Sequence, residues 1–211
     1  RLNQWVAGST AALPAGLFER LGNTRIVSHD EPIVLFFDGS FNHDATALLA
    51  ATFDGHLGVI ACWERPVDDA TWRVPIGEVD ATVRATCRDY NVGVLACDPF
   101  RWAHEMEEWQ AAGLPFIEYA TSSPARMVPA WAKFFDAVIA GQITHDGDAR
   151  LVRHIGNMVL RTDRLGPRPV KEHRGSPRVI DLGICAVGAY DRATWHAAQP
   201  VVAPPVVQFF G

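Results

Sequence analysis

The hydrophobic pattern changes most sharply at Pro32. Before it, residues 1–30 carry scattered apolar positions (Leu2, Trp5, Leu13, Leu17, Phe18, Leu21) broken by Gly8, Pro14, Gly16 and Gly22, the pattern of a short helical lead-in or a linker. After it, Ile33 to Phe37 is an unbroken apolar run of strand length that closes on Asp38-Gly39-Ser40. This predicts a buried central strand with a carboxylate at its C-terminal end. Two further strand-like stretches, 45–53 and 57–63, are joined by Asp54-Gly55-His56, and Asp-Gly is a strong hairpin signal. Ile76, Val79, Val83 and Cys87 then repeat at helical spacing and lead into the apolar run 92–97, a helix followed by a strand. Asp98-Pro99 reads as an acidic N-cap with proline in the first turn of a helix that runs to about Ala112, where Gly113 and Pro115 stop it. A short strand at 116–119 and a helix from Pro124 or Ala125 to Ala140 follow. Periodicity then weakens: apart from a helix near 148–159, residues 142–178 read as loops, before a final helix over 179–195 and an extended tail marked by Pro200, Pro204 and Pro205.

This order of elements predicts the α/β class, a mixed sheet with helices on both faces, in which sites gather at the carboxyl ends of strands. Asp38 ends the first strand and Asp98 the fourth, so both open onto one sheet edge if those strands are neighbours. Asp181 starts the last helix on a face whose next positions are Ile184, Cys185, Gly188 and Ala189. An ionised carboxylate on such a face carries a large desolvation cost unless it is paired or binds a cation. Arg178, one turn earlier, offers a salt bridge. A cluster of Asp38, Asp98 and Asp181 instead accounts for all three placements, and three mutually repelling carboxylates suit hard divalent cations, Mg²⁺ or Mn²⁺. Two such ions would activate water and stabilise the leaving oxygen in phosphodiester hydrolysis. Asp191 lies ten helical residues beyond Asp181, about 15 Å away, too far to share that role. Asp44 reads as a turn cap, or as a contact to Asp38 across the hairpin. His43, His145, His154 and His173 have no metal-ligand spacing and read as surface or structural residues, with His173, among basic residues near Asp181, the best exception.

Composition narrows the class. The 211 residues suit one ordinary domain with trailing segments, and 48% hydrophobic against 20% charged residues is the balance of a globular chain. No apolar run nears the roughly 20 residues that span a bilayer and no signal segment opens the chain, so no membrane partner and a cytosolic setting are expected. Cys62, Cys87, Cys97 and Cys185 form no C-x-x-C pair and read as small core residues. The first methionine is Met106, which suggests a piece of something longer. The net charge of −5 is unevenly placed. From His145 to Arg178 eight arginines and lysines face four acidic residues, a local +4 on a remainder of −9, and such a stretch can track a phosphate backbone. Phosphate-loop, dinucleotide and G-x-S-x-G motifs are absent.

Four stretches, "IVLFFDGSFNHDATALLAA", "VGVLACDPFRW", "ITHDGDARLVRHIGNMVLRTD" and "RVIDLGICAVGAYDRATW", resemble in order and spacing the nuclease domain of tailed-phage large terminase subunits. The resemblance implies an RNase H-like fold with Asp38, Asp98 and Asp181 as catalytic, metal-binding carboxylates that cut concatemeric double-stranded viral DNA in the host cytoplasm. It implies a lead-in at 1–30 from a preceding ATPase domain of the same full-length chain, a nuclease at 31–195 and a Pro-rich tail at 196–211, with portal and small terminase subunit as partners. His145 and Asn157 fall at structural positions, and Lys171 at a basic position suited to phosphate. With it, Arg164, Arg168, His173 and Arg174 are the expected DNA contacts. A Holliday-junction resolvase or transposase of the same fold, and a noncatalytic DNA- or portal-binding module with structural aspartates, are the competing expectations. An actin-like nucleotide-binding module would need a second Gly-rich phosphate turn, for which the sequence offers no good candidate.

Overall fold

A computed structural model describes residues 11–40, 45–66, 68–69, 71–99 and 102–199. The first ten residues of the lead-in and the tail beyond residue 199 lie outside them. The apolar run after Pro32 forms β1 (Ile33–Asp38), and the Asp-Gly signal sits in a tight turn between β2 (Thr46–Thr52) and β3 (His56–Trp63). These three make an antiparallel meander. The chain then crosses through α1 (Ile76–Asp89) to β4 (Val92–Cys97), which lies parallel to β1, and through α2 (Ala103–Ala111) to β5 (Phe116–Glu118), parallel to β4. After α3 (Pro124–Ile139), the short β6 (Thr144–His145) adds parallel to β3. The six-stranded mixed sheet therefore runs β5-β4-β1-β2-β3-β6. Helix α4 (Ala149–Asn157), a separate hairpin of β7 (Val159–Asp163) and β8 (Gly166–Val170), and α5 (Asp181–Ala197) complete the described chain.

Side-chain alternation along the central strands feeds two cores. Ile33, Leu35, Phe37, Leu95 and Cys97 face α1 and α2, where they meet Val79, Val83, Met106 and Trp109. Val34, Phe36, Ala47, Leu49, Val94 and Ala96 face the other way, against α3, α4 and α5. With helices on both sides the central strands read as continuous apolar runs rather than as half-polar ones. Helix α5 lies across β1 and β2 so closely that a Cβ added at Gly188 would sit 2.1 Å from the Phe36 ring. Of the lead-in, Ala12, Leu13 and Phe18 are buried, and Phe18 stacks on His145 at 4.4 Å, so this part of the segment is packed onto the domain.

The structure departs from the sequence expectations in two places. Helix α2 starts at Ala103 with Trp102 as its N-cap residue, so Asp98-Pro99 caps no helix. The Asp98 carboxylate is instead drawn to Thr121 across the sheet edge, a tertiary partner that no local pattern encodes. The stretch 142–178 is more ordered than its prolines suggested, with β6 and the β7–β8 hairpin in it. Pro167 and Pro169 stand opposite Thr162 and Leu160, two residues apart on one strand. Their missing N–H groups thus fall on the outward side of a two-stranded ladder, where no donor is needed.

Candidate active site

Strand parity and the β1–β4 register decide where the carboxylates lie. Because residues 34 and 36 of β1, and 94 and 96 of β4, point toward α5, the same alternation sends Asp38 and Asp98 toward that face where the strands run out. Phe37 pairs with Cys97, and the Asp98 amide donates to the Phe37 carbonyl at 3.3 Å, so the two acidic residues end adjacent parallel strands side by side. Asp181 is the first residue of α5 and its Oδ2 accepts from the Ala45 amide at 3.2 Å. Ala45 precedes β2, whose Ala47 pairs with Asp38. Between them lies Cys185, fully buried: its Sγ sits 3.7 Å from the Ala47 carbonyl, and desolvation first, then the nearby charges of Asp38 and Asp181, push its thiol well above the usual range. A neutral sulfur thus floors an acidic site at the carboxyl end of the central strands. Asp44 and His43 lie outside the described residues.

Asp98 and Asp181 are held by groups outside the trio. Asp98, 5% exposed, accepts from the Thr121 amide at 2.7 Å and from the Thr121 hydroxyl. Thr121 follows β5, the parallel neighbour of β4, and sequence reading missed it because its only signal is a strand end at the same edge. The turn after Asp38 is clamped by Thr46, whose hydroxyl accepts from Ser40 N at 3.1 Å and donates to Ser40 O at 2.8 Å. A Cβ at Gly39 would fall 2.2 Å from the Trp102 indole nitrogen, so only glycine lets this turn pass under that ring. Asp191, by contrast, takes a hydrogen bond from Tyr119 at 3.1 Å and an ion pair with Lys133 at 2.6 Å. It is a structural residue of the distant part of α5.

A second polar group, also missed from the sequence, adjoins the trio. Glu64 directly follows β3 and accepts from Arg153 at 2.5 and 2.6 Å and from His154 Nε2 at 2.6 Å. The hydrogen bond from His154, aided by the charge of Arg153, holds the Glu64 carboxyl well below the usual carboxylate range. His154 is fully buried and its other nitrogen, Nδ1, accepts from the Leu182 amide at 3.0 Å. The remaining histidine expectations hold for His145, which is buried, with Nε2 against the Phe18 carbonyl and Nδ1 accepting from Gly147 N. Asn157 likewise ties α4 to the segment before α5 through the Val179 carbonyl.

The expected DNA contacts differ in exposure. Arg164 is exposed in the β7–β8 turn, His173 and Arg174 are exposed in the loop leading to α5, and Lys171 at its start is partly exposed. Arg168 differs from the expectation: it is buried, with its guanidinium 3.6 Å from Asp163 across the hairpin. The basic stretch is partly neutralised as well, since Arg150 pairs with Asp148, Arg153 with Glu64, and Arg178 lies 3.9 Å from Glu172. Among the described residues no helix is long and apolar enough to cross a membrane.

Comparison with protein-family profiles finds no match. Among curated proteins, the Gene 13 protein of Mycobacterium phage L5 is 28% identical over 173 residues and that of Mycobacterium phage D29 is 27% identical over 175. These alignments cover 75% and 76% of this chain but only 28% and 29% of the relatives, so the chain spans less than a third of their length. Among solved structures, the HK97 bacteriophage large terminase superposes with a TM-score of 0.71 at 19% identity, covering 87% of this chain and 43% of that one. The large terminase nuclease from thermophilic phage G20c superposes with a TM-score of 0.59 at 20% identity, over 81% of this chain and 89% of that one. The same G20c nuclease with bound magnesium gives 0.58, over 81% of this chain and 88% of that one, again at 20% identity. With β3-β2-β1-β4-β5 as the body of its sheet and α5 across it, the chain has the RNase H-like fold of the phage large terminase nuclease domain.

Proposed function

We propose that this chain is the nuclease domain of a phage large terminase, a metal-dependent endonuclease that cuts concatemeric double-stranded DNA during genome packaging. The observation that carries this reading is the convergence of Asp38, Asp98 and Asp181, from three separate elements, on one edge of the sheet. The donor set fits hard divalent cations: carboxylate oxygens at a buried edge, Asp98 5% and Asp181 9% exposed, with a neutral thiol beneath them. When bound there, two Mg²⁺ or Mn²⁺ ions would supply an activated water and neutralise charge on the scissile phosphate. The residues of the chain do the rest. Thr121 and the Ala45 amide hold Asp98 and Asp181 in place, Thr46 and Gly39 fix the turn beyond Asp38, and the acidic edge repels DNA until its charge is neutralised. The similar G20c nuclease, solved with bound magnesium, supports the choice of a divalent cation.

The exposed basic groups of the hairpin turn and the 171–174 loop precede α5 and its Asp181 in the chain, and this reading takes them as the phosphate contacts. Replacing Arg164, Lys171 and Arg174 together by alanine should reduce the slope of log affinity against log salt, by up to about 0.9 for each phosphate that is no longer neutralised. Fluorescence anisotropy on a duplex across a salt series measures this, and an unchanged slope refutes the assignment. Arg168→Ala should lower the unfolding temperature instead and leave the slope alone, because that side chain is buried. Cleavage of supercoiled plasmid that requires Mg²⁺ or Mn²⁺ and stops in chelator tests the reaction itself. A noncatalytic DNA-binding module would bind and not nick. A preceding ATPase domain in the full-length chain, and portal and small terminase subunit as partners, belong to the same proposal.

A further inference from the structure

We propose that Glu64 and His154 form a positioning pair that sets the first turn of α5, and with it Asp181, for cation binding; the proposal rests on the nuclease reading above. Helix α5 begins at Asp181 with Ile180 as N-cap, and no N-cap side chain accepts from its first amides. The first turn of a helix leaves such amides in need of acceptors. His154 supplies one from another helix: its Nδ1 accepts from Leu182 N at 3.0 Å. A ring nitrogen that faces an N–H donor must present its lone pair, so the imidazole proton sits on Nε2. That proton points at Glu64, 2.6 Å away. Glu64 follows β3, whose Trp63 pairs with Thr46, the residue after the Ala45 that donates to Asp181. The pair therefore closes a ring from the edge of the sheet through α4 to α5 and back to Asp181. Arg153 donates to both oxygens of the Glu64 carboxylate.

The same three-residue neighbourhood, Cys62, Glu64 and His154, has ligand atoms within 4.8 Å of one another, the spacing of a soft-metal site. The hydrogen bonding argues against that use. A metal on Nε2 normally leaves the other nitrogen as a donor. Here Nδ1 accepts from a backbone amide, so a metal on Nε2 would demand an imidazolate.

Plasmid cleavage as a function of Mn²⁺ concentration, with Mn²⁺ binding by calorimetry and thermal unfolding alongside, tests the proposal on wild type, His154→Ala, His154→Asn, Glu64→Ala and Glu64→Gln. Loss of an outer partner of a metal ligand typically costs about 10–100-fold, so His154→Ala should raise the Mn²⁺ needed for half-maximal cleavage, and the Mn²⁺ dissociation constant, by that factor. His154→Asn keeps an acceptor oxygen where Nδ1 stands and should recover much of the loss. Glu64→Gln keeps an acceptor for the Nε2 proton and should exceed Glu64→Ala in the same way. A change in unfolding temperature with an unmoved Mn²⁺ requirement means a merely structural pair and overturns the proposal, as does asparagine performing no better than alanine. Stoichiometric Zn²⁺ binding that is lost in Cys62→Ser also overturns it, in favour of a soft-metal site. Should wild type bind Mn²⁺ without cleaving DNA, the nuclease reading fails while the binding series still decides the positioning claim; should wild type neither bind nor cleave, both fall.

Discussion

Replacing Asp38, Asp98 or Asp181 by asparagine, one at a time, is expected to lower plasmid cleavage by on the order of 10³-fold or more, with the fold intact. Disturbing an outer partner of a metal ligand already costs roughly 10–100-fold, and removing a preorganised charged group at a reacting phosphate costs more. Asparagine is the informative change because its side-chain oxygen still accepts a hydrogen bond. Thr121 can still donate to position 98 and the Ala45 amide to position 181, so the local structure survives while the negative charge that attracts a cation is gone. Stability should stay the same or rise slightly, since each substitution relieves repulsion within an acidic cluster. Plasmid nicking at saturating Mn²⁺, with a thermal melt of each variant, measures both halves. Cleavage within tenfold of wild type in any of the three, or cleavage that persists in chelator, would show that the trio is not the site. The same outcome would favour a noncatalytic module that uses these aspartates as structural anchors.

Gly188→Ala is expected to destabilise the chain by about 2–3 kcal/mol, against the usual sign for a helical glycine. Within a helix this exchange ordinarily gains up to about 1 kcal/mol, because alanine loses less backbone entropy. At position 188 the new methyl group would fall 2.1 Å from the Phe36 ring, and Phe36 is fully buried in the central strand. Neither partner has space to yield, so α5 must lift from the sheet. Overpacking of this kind costs typically about 1–3 kcal/mol. Gly156→Ala in α4 is the internal control: a Cβ there meets nothing within 4 Å, and that variant should be neutral or more stable. Chemical denaturation of both variants decides the point. Equal stability of Gly188→Ala and wild type would mean that α5 has room to spare above Phe36. A lifted α5 also displaces Asp181, so the destabilised variant should need more Mn²⁺ for cleavage even below its unfolding temperature.

Much of this architecture was legible along the chain. The Ile33–Phe37 run, the Asp54-Gly55 turn, the 3.6-residue repeat through Val79 and Val83 and the run into Cys97 each carry a local signal, and each became the expected element. The pairing of β4 beside β1 was a conditional expectation: two strands ending in aspartate matter together only if they are neighbours, and the parallel register made them so. Local signals misled where a tertiary partner overruled them. Asp98-Pro99 has the composition of a helix start, yet the Thr121 hydroxyl and amide claim the carboxylate and the helix begins at Ala103. Arg168 looked like a phosphate contact by charge, but β8 was hidden by its prolines, and with it the hairpin contact to Asp163 that buries Arg168.

By itself, then, the sequence determined the alternation of strands and helices, the acidic residue at each of two strand ends and the carboxylate on an apolar helix face, because these follow from hydrophobic period and turn chemistry over a few residues. Only the tertiary structure decided that β1 and β4 are adjacent, that α5 delivers Asp181 to their ends, and that His154, backed by Glu64, accepts from its first turn. The physical reason is range. Periodicity is set by neighbours in the chain, whereas a site of this kind is assembled by contacts between residues more than a hundred positions apart, such as Ala45 with Asp181, which no local pattern records.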